Sequence, residues 1–315
     1  MHKAKTLFAR FRSKLNSKSS GRSSTPLPIH TISSLAEYKK HKHANSDEYI
    51  RRSQIEKQLE GSQNGFYTPG YCYVCTQNVD FYSDFSYAFT DAEGKQRPNW
   101  REHLRCPSCG LNNRMRGAIQ IFEQTGKPQV DDTIYLTEQI TPLFQWFASN
   151  YRNAVGSEYL ADKVPFGHMD KRGLRNETLT GLTFADQQFG FILSFDVFEH
   201  IPNYQTALQE CLRCLKPGGS LVFTVPFSRD SEEHIVRARI SSTGVVEHIL
   251  PPEYHGDPLD NSGSLCFYHF GWGLLEELRA LGFSSATAKL YWSSKLGYLG
   301  HEQILFIARK RTLAE

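Results

Sequence analysis

The sequence contains no long apolar run. Hydrophobic residues make up 39% of its 315 residues and aromatic residues 13%, which is enough to build a core. No stretch, however, approaches the roughly 18–20 consecutive apolar residues that a membrane-spanning helix needs. The first residues also lack the apolar segment of a secretory signal. Seven cysteines, an odd number, do not fit a secreted disulfide framework. We therefore expect a cytoplasmic protein.

Acidic residues are missing from the first 30 positions, which hold seven Lys and Arg. Residues 1–58 carry 13 basic and 4 acidic side chains, whereas the rest of the chain carries 23 and 29. We predict a disordered basic tail at 1–33 and a helical linker at 34–65. Apolar residues at helical spacing in the tail leave contact with an anionic membrane surface open. Because the body is acidic, we do not expect a nucleic-acid partner.

Two Cys-x-x-Cys pairs lie within residues 66–117. Cys72 and Cys75 form the first pair, and Cys106 and Cys109 form the second. Each pair can present two thiolates to one ion, and four thiolates complete the tetrahedral shell of a structural zinc. Unligated core thiols and a redox dithiol are the alternatives. The spacing predicts a small zinc-ribbon-like module that binds Zn²⁺ through these four residues.

From residue 118 to 315, short apolar runs alternate with helical stretches. The predicted strands are Thr133–Thr137, Ala154–Tyr159, Gly190–Phe195, Ser220–Val225 and an edge strand at Ile304–Ala308. The predicted helices are Phe144–Tyr151, Tyr204–Leu215 and Trp272–Leu281. This order predicts an α/β fold with a doubly wound, mostly parallel sheet. Residues 227–270 form a polar insert that we expect to cover a substrate.

Two motifs lie between residues 182 and 227. The first is D-V-F-E-H-I-P at 196–202, directly after a buried strand, and the second is L-K-P-G-G at 215–219. Together they resemble class I S-adenosylmethionine-dependent methyltransferases of the type 11-like kind. The CxxC…CPxCG module, P-E-Y-H-G-D-P at 252–258 and F-G-W at 270–272 further resemble a bacterial group of such enzymes that carries an N-terminal zinc-binding module.

The resemblance implies a Rossmann-like fold with S-adenosylmethionine at the carboxyl edge of the sheet. Family members have a glycine-rich loop after the first strand, but the matching turn here, 136–142, contains no glycine. The resemblance places Glu158 on the ribose hydroxyls and Glu138 near the cofactor's amino group, and Thr178 stands where many members have an acid for adenine. The cofactor-binding residues that it implies are Thr137, Glu138, Gln139, Glu158, Tyr159, Thr178, Leu179, Ser194 and Asp196.

Methyl transfer from a sulfonium needs an acceptor nucleophile that is in line and, for a hydroxyl, deprotonated. His200 follows the strand before the D-V-F-E-H motif, and we predict that it is the catalytic base. A divalent metal at this motif, as in some O-methyltransferases, is an alternative. In the insert, the predicted substrate contacts are Tyr254, His255 and His269.

The predicted function is S-adenosylmethionine-dependent methylation of a small-molecule or glycan-type acceptor. The alternative is a non-catalytic, zinc-stabilised binding protein with a degenerate methyltransferase fold.

Overall fold

The computed structural model describes residues 26–61 and 64–313. Most of the predicted basic tail, residues 1–25, lies outside this range. The helices are α1 (Leu35–Ala44), α2 (Ser46–Leu59), α3 (Asn113–Ile121), α4 (Pro142–Asn150), α5 (Tyr204–Cys214) and α6 (Gly273–Leu281). The strands of the central sheet are β1 (Ile29–Ile32), β6 (Thr133–Leu136), β7 (Asn153–Gly156), β8 (Phe189–Phe195), β9 (Leu215–Thr224), β16 (Phe283–Ser293) and β17 (Tyr298–Lys310).

Ten short strands lie outside that sheet in the described chain. In the cysteine-rich part they are β2 (Phe66–Cys72), β3 (Gln77–Ser83), β4 (Phe89–Thr90) and β5 (Gln96–Arg97). In the polar insert they are β10 (Ile235–Val236), β11 (Ala238–Ile240), β12 (Val246–His248), β13 (Tyr254–His255), β14 (Ser264–Leu265) and β15 (Tyr268–His269). They form antiparallel pairs, β2 with β3, β4 with β5, β10 with β15, β11 with β12 and β13 with β14.

The central sheet has the order β1-β16-β17-β9-β8-β6-β7. Strands β7, β6, β8 and β9 pair in parallel. Strand β17 is antiparallel to both β9 and β16, and β1 is antiparallel to β16. Five strands therefore run in one direction and two in the other, which confirms the predicted mostly parallel sheet of a Rossmann-like fold.

Apolar side chains cover both faces of this sheet. Adjacent residues of a strand point to opposite faces, and Ile192 of β8 packs in one core with α5 and α6. Its neighbour Leu193 packs in a second core with α3 and α4. Gly282, at φ +116°, ends α6 directly after the predicted helix Trp272–Leu281, because glycine adopts the left-handed conformation that closes a helix at little cost.

Two local expectations were wrong. Ile304–Ala308 belongs to β17, which lies between β9 and β16 and is therefore an interior strand. Its polar flanks hid its length of 13 residues. Residues Ile29–Ile32, assigned to the disordered tail, form the edge strand β1 against β16.

The expected single linker helix is two helices packed on the domain. Leu35 and Tyr38 of α1 are buried in the core that contains α5 and α6. From α2, Glu56 is buried and accepts a hydrogen bond of 2.7 Å from the indole of Trp292. Buried contacts of this kind fix both helices to the sheet.

The cysteine-rich part also packs on the sheet. Its apolar core includes Trp292 of β16 and Leu299 of β17. Arg116 of α3 is fully buried and donates hydrogen bonds to three carbonyl oxygens, those of Leu104, Leu296 and Gly297. Residues 66–117 therefore share a core with the turn that joins β16 to β17.

From the sequence we expected no membrane-spanning helix. None of them is both long enough and apolar enough to cross a bilayer.

Candidate functional site

The parallel strands β6, β7 and β8 end at one edge of the sheet. The segments that follow them carry Glu138, Glu158 and Asp196, which come from three distant parts of the sequence. Because ligands of open α/β sheets bind beyond the carboxyl ends of the strands, this edge is the candidate cofactor site.

The turn after β6 is held by Glu158. One carboxylate oxygen, Oε1, accepts the backbone N–H groups of Gln139 at 2.6 Å and of Ile140 at 2.9 Å. Gly156 of β7 permits this approach, since a Cβ there would lie 2.6 Å from the carbonyl oxygen of Glu138. The turn itself contains no glycine, so this close approach depends on the glycine of the neighbouring strand. Oε2 of Glu158 accepts no hydrogen bond from the described residues.

Glu138 faces the same space. Its Oε1 is buried and has no hydrogen-bond partner in the described part of the chain. Burial raises the pKa of Glu138 to about 7, although Thr141 and Arg114 act in the opposite direction. A carboxyl group in this state is ready to accept a hydrogen bond from a cationic donor, which would restore its ionised form.

Asp196, directly after β8, holds two arginines that the sequence reading missed. Nη2 of Arg101 donates to both of its oxygens, at 2.7 and 2.8 Å, and Nε of Arg114 lies 3.3 Å from Oδ2. Burial raises the pKa of Asp196, but the two guanidiniums outweigh that effect and hold the pKa well below its usual value. Asp196 has φ +55° and accepts a hydrogen bond from Thr224.

Both arginines flank the second cysteine pair in the sequence. Glu102 joins them, accepting from Nη1 of Arg101 at 2.5 Å and from Nε of Arg114 at 3.0 Å. The cluster of basic residues in W-R-E-H-L-R-C-P-S-C-G-L-N-N-R was the available signal, but no local pattern ties it to a strand end about 95 residues away.

The other cofactor-binding residues that the resemblance implies differ in their exposure and contacts. Thr137 donates to the buried Ser194 at 3.1 Å, so both lie at the edge. Tyr159 is 67% exposed. Thr178 bonds to Thr180, and Leu179 packs in the sheet core.

A second cluster lies beside Asp196 and consists of Glu199, His200 and His255. Oε1 of Glu199 is 3.7 Å from Nε2 of His200 and 3.4 Å from Nδ1 of His255. The insert is attached at this point, since the backbone N–H of Phe267 donates to the carbonyl of Glu199 at 2.7 Å. Burial raises the pKa of Glu199. The structure thus brings the predicted base His200 and the predicted substrate residue His255 together.

Glu253 contacts this cluster through His255. It accepts hydrogen bonds from Nε2 of His255 at 3.0 Å and from Nε2 of His269 at 2.9 Å. The Cys266 thiol, Glu199 and Glu253 raise the pKa of His255 to about 11. Tyr254, the third predicted substrate residue, is 56% exposed on the same strand pair.

The four predicted zinc ligands also come together. Sγ of Cys72 lies 3.9 Å from Sγ of Cys109, and Sγ of Cys75 lies 3.7 Å from Sγ of Cys106. All four thiols are free, and their sulfur atoms lie within 4.8 Å of one another. Four thiolates at about 2.3 Å from one ion stand about 3.8 Å apart, so the donor set and spacing fit Zn²⁺.

Comparison with known proteins gives one family match. The family model described as "Methyltransferase domain" matches residues 143–223, about a quarter of the chain. This segment runs from α4 through β8 to β9 and includes the D-V-F-E-H and L-K-P-G-G motifs. The match confirms the prediction of an S-adenosylmethionine-dependent methyltransferase. No protein with a curated description matches the chain.

Solved structures with a similar course of the chain include three methyltransferases. A Burkholderia thailandensis 1,6-didemethyltoxoflavin-N1-methyltransferase with bound S-adenosylhomocysteine is 14% identical, with 62% of this chain and 78% of that one covered and a TM-score of 0.39. An S-adenosylmethionine-dependent methyltransferase from Mesorhizobium loti is 16% identical, with 61% and 98% covered and a TM-score of 0.36. A possible histamine N-methyltransferase from Thermotoga maritima is 19% identical, with 64% and 91% covered and a TM-score of 0.36.

Proposed function

We propose that the protein transfers a methyl group from S-adenosylmethionine to a small-molecule or glycan-type acceptor held between the sheet edge and the insert. The observation that carries this proposal is the unpartnered buried oxygen of Glu138, which faces a sheet edge that also presents Glu158 and Arg114. A methionine-type ligand has an ammonium, a carboxylate and, in this cofactor, a ribose, and the edge offers one group for each.

The residues at the edge fit the cofactor as follows. Oε1 of Glu138 would accept from its ammonium, and Oε2 of Glu158 would accept from the ribose hydroxyls. Arg114 retains an unused donor, because Nη1 forms no hydrogen bond within the described residues, and it would donate to the cofactor's carboxylate. When bound, the cofactor supplies an electrophilic methyl group on a sulfonium.

The insert is the element that supports a small acceptor. Asp257 lies near enough to Glu158 to raise the pKa of that carboxyl group, after the larger effect of burial. We therefore infer that the insert reaches from the Glu199–His200–His255 cluster toward the cofactor edge. An acceptor enclosed between these points would meet the cluster, where its proton would be taken up or released.

Calorimetric titration of the full-length protein with S-adenosylmethionine tests the cofactor assignment. We expect binding that Glu138→Gln weakens, with the exposed Glu232→Gln as the matched control. Incubation with methyl-labelled cofactor and a host extract then tests transfer. A protein that binds no cofactor would instead be the zinc-stabilised binding protein of the alternative reading.

We also propose that Cys72, Cys75, Cys106 and Cys109 bind a structural Zn²⁺. The sulfur spacing supports this, together with the closed donor set, which leaves no open position for catalysis. The ion would hold the segment that carries Arg101 and Arg114.

A further inference from the structure

The geometry points to a divalent transition-metal site formed by Glu199, His200 and His255. The role of this site toward an acceptor rests on the proposed function. Metal binding itself can be measured without any methyl transfer.

The donor atoms have the spacing of ligands around one ion. His255 Nδ1 and His200 Nε2 lie 3.4 and 3.7 Å from Oε1 of Glu199, beyond the 2.7–3.2 Å range of ordinary N–H···O hydrogen bonds. Metal–nitrogen and metal–oxygen bonds of about 2.0–2.2 Å place neighbouring tetrahedral ligands about 3.3–3.6 Å apart. The two imidazole rings are nearly perpendicular, with centroids 4.9 Å apart.

Within the described residues, the ion-pair contacts of Glu199 are the two imidazoles, each longer than a hydrogen bond. Its side chain is fully buried, yet neither carboxylate oxygen accepts a hydrogen bond there. A buried carboxylate without donors is costly. A cation bound between it and the two imidazoles would remove that cost.

Outer contacts hold both histidines in the orientation that ligation requires. Nδ1 of His200 donates to the carbonyl of Leu265 at 2.8 Å, which leaves Nε2 for a metal. Nε2 of His255 donates to Glu253 at 3.0 Å, which leaves Nδ1. A histidine ligand usually donates its other N–H to a carbonyl or carboxylate in this manner. Glu253 is itself fixed, since Arg237 lies 3.2 Å from it.

Two histidines and one carboxylate leave coordination positions open, as catalytic metal sites do. An acceptor hydroxyl bound at such a position would have a lowered pKa. It would lose its proton to solvent and keep the electron pair for the methyl group. In this arrangement His200 is a ligand and not the free base that the sequence predicted.

A competing donor set shares His255. Glu253, His255 and Cys266 also lie within 4.8 Å of one another. Glu253, however, already accepts from two imidazoles, and Sγ of Cys266 faces the carbonyl of Tyr268 at 3.3 Å. The two sets differ in Glu199 and Cys266, and substitution at these positions separates them.

Cobalt titration of the full-length protein tests the site. The four-cysteine site is first filled with one equivalent of Zn²⁺, and Co²⁺ binding is then followed by visible absorption and calorimetry. We expect one Co²⁺ per chain. Because loss of an outer partner alone costs about 10–100-fold in metal affinity, His255→Ala and Glu199→Gln should weaken binding by about 100-fold or more. His248→Ala, at an exposed histidine of the same insert, should leave it unchanged.

Three outcomes would overturn the assignment. The first is no Co²⁺ bound by the parent, which would identify the cluster as an ion-pair network around protonated His255. The second is a site lost in Cys266→Ser but retained in Glu199→Gln, which would favour the competing set. The third is binding of Mg²⁺ with preference over Co²⁺ and Zn²⁺. Cofactor titration of the same preparation shows separately whether the methyltransferase assignment stands.

Discussion

A single nitrogen of Arg101 donates hydrogen bonds to both carboxylate oxygens of Asp196, at 2.7 and 2.8 Å. Arg101 lies five residues before Cys106, and Asp196 is the first residue after β8. Both side chains are partly buried, and breaking such a pair leaves a poorly compensated charge. The contact therefore couples the folding of the cysteine-rich part to the geometry of the candidate cofactor edge.

Arg114→Ala should weaken S-adenosylmethionine binding by about 10–150-fold. The range follows from the roughly 1.5–3 kcal/mol that a hydrogen bond to a charged group contributes. Calorimetric titration measures the change, and thermal melting verifies that the variant is folded. Arg105→Ala, at an exposed arginine of the same segment, should bind like the parent. Equal affinity in Arg114→Ala would remove this residue from the cofactor site.

Glu158 supports the turn through Oε1 and would bind ribose through Oε2, so two substitutions separate these roles. Glu158→Ala loses both and should cost about 2–3 kcal/mol in cofactor binding, roughly 30–150-fold. Glu158→Gln retains an oxygen acceptor for the turn but replaces the other oxygen with a donor. It should melt like the parent and still bind cofactor more weakly. Asp162→Asn, at an exposed neighbouring acid, is the control. Parent-like affinity in Glu158→Gln would place the ribose elsewhere.

The pH dependence of the free energy of unfolding should report Glu138. Its pKa in the native state, about 7, lies above the usual 4.5 because the side chain is buried. The native state therefore holds this proton more tightly than the unfolded chain. Its contribution to stability is fully present below about pH 4.5 and is lost as the pH rises through about 7. Glu138→Gln should flatten this part of the stability profile.

The same group should release a proton when the cofactor binds. An ammonium beside Glu138 favours the carboxylate, so at about pH 6 binding should release up to one proton. Titrations in buffers of different ionisation enthalpy measure that number. It should fall toward zero in Glu138→Gln and remain in Glu232→Gln. No proton release by the parent at pH 6 would contradict the ammonium–Glu138 contact.

Features that depend on neighbouring residues were predictable from the sequence. The strand–helix–strand unit from β8 to β9 follows from local apolar periodicity, and the four cysteines follow from two short motifs. The position of Glu158 follows from the resemblance and from its place at the end of a predicted strand. Each of these requires only a short segment or a known order of elements.

Contacts between distant segments were not predictable. Nothing near Arg101 indicates that it meets Asp196, and nothing near His255 indicates that it meets Glu199. Both contacts depend on how a loop packs on a sheet edge, which periodicity does not encode. Strand β1 was missed for the same reason, since its four residues become a strand only because β16 leaves an edge free to pair.

Removal of the proposed zinc should be felt at the cofactor edge. Cys106→Ser deletes one of four thiolates, and closed four-cysteine sites contribute directly to folding free energy. After dialysis against a mild chelator, which removes weakly held metal, the parent should retain one zinc per chain by elemental analysis. The variant should retain much less and melt at a lower temperature. Because Arg101 and Arg114 flank this pair, cofactor affinity should fall as well.

Cys211→Ser, at a buried thiol of α5 outside the site, should keep its zinc even if it is destabilised. A parent without zinc after metal-replete expression would reject the assignment, and a zinc-free variant with parent-like cofactor affinity would show that the two sites are independent.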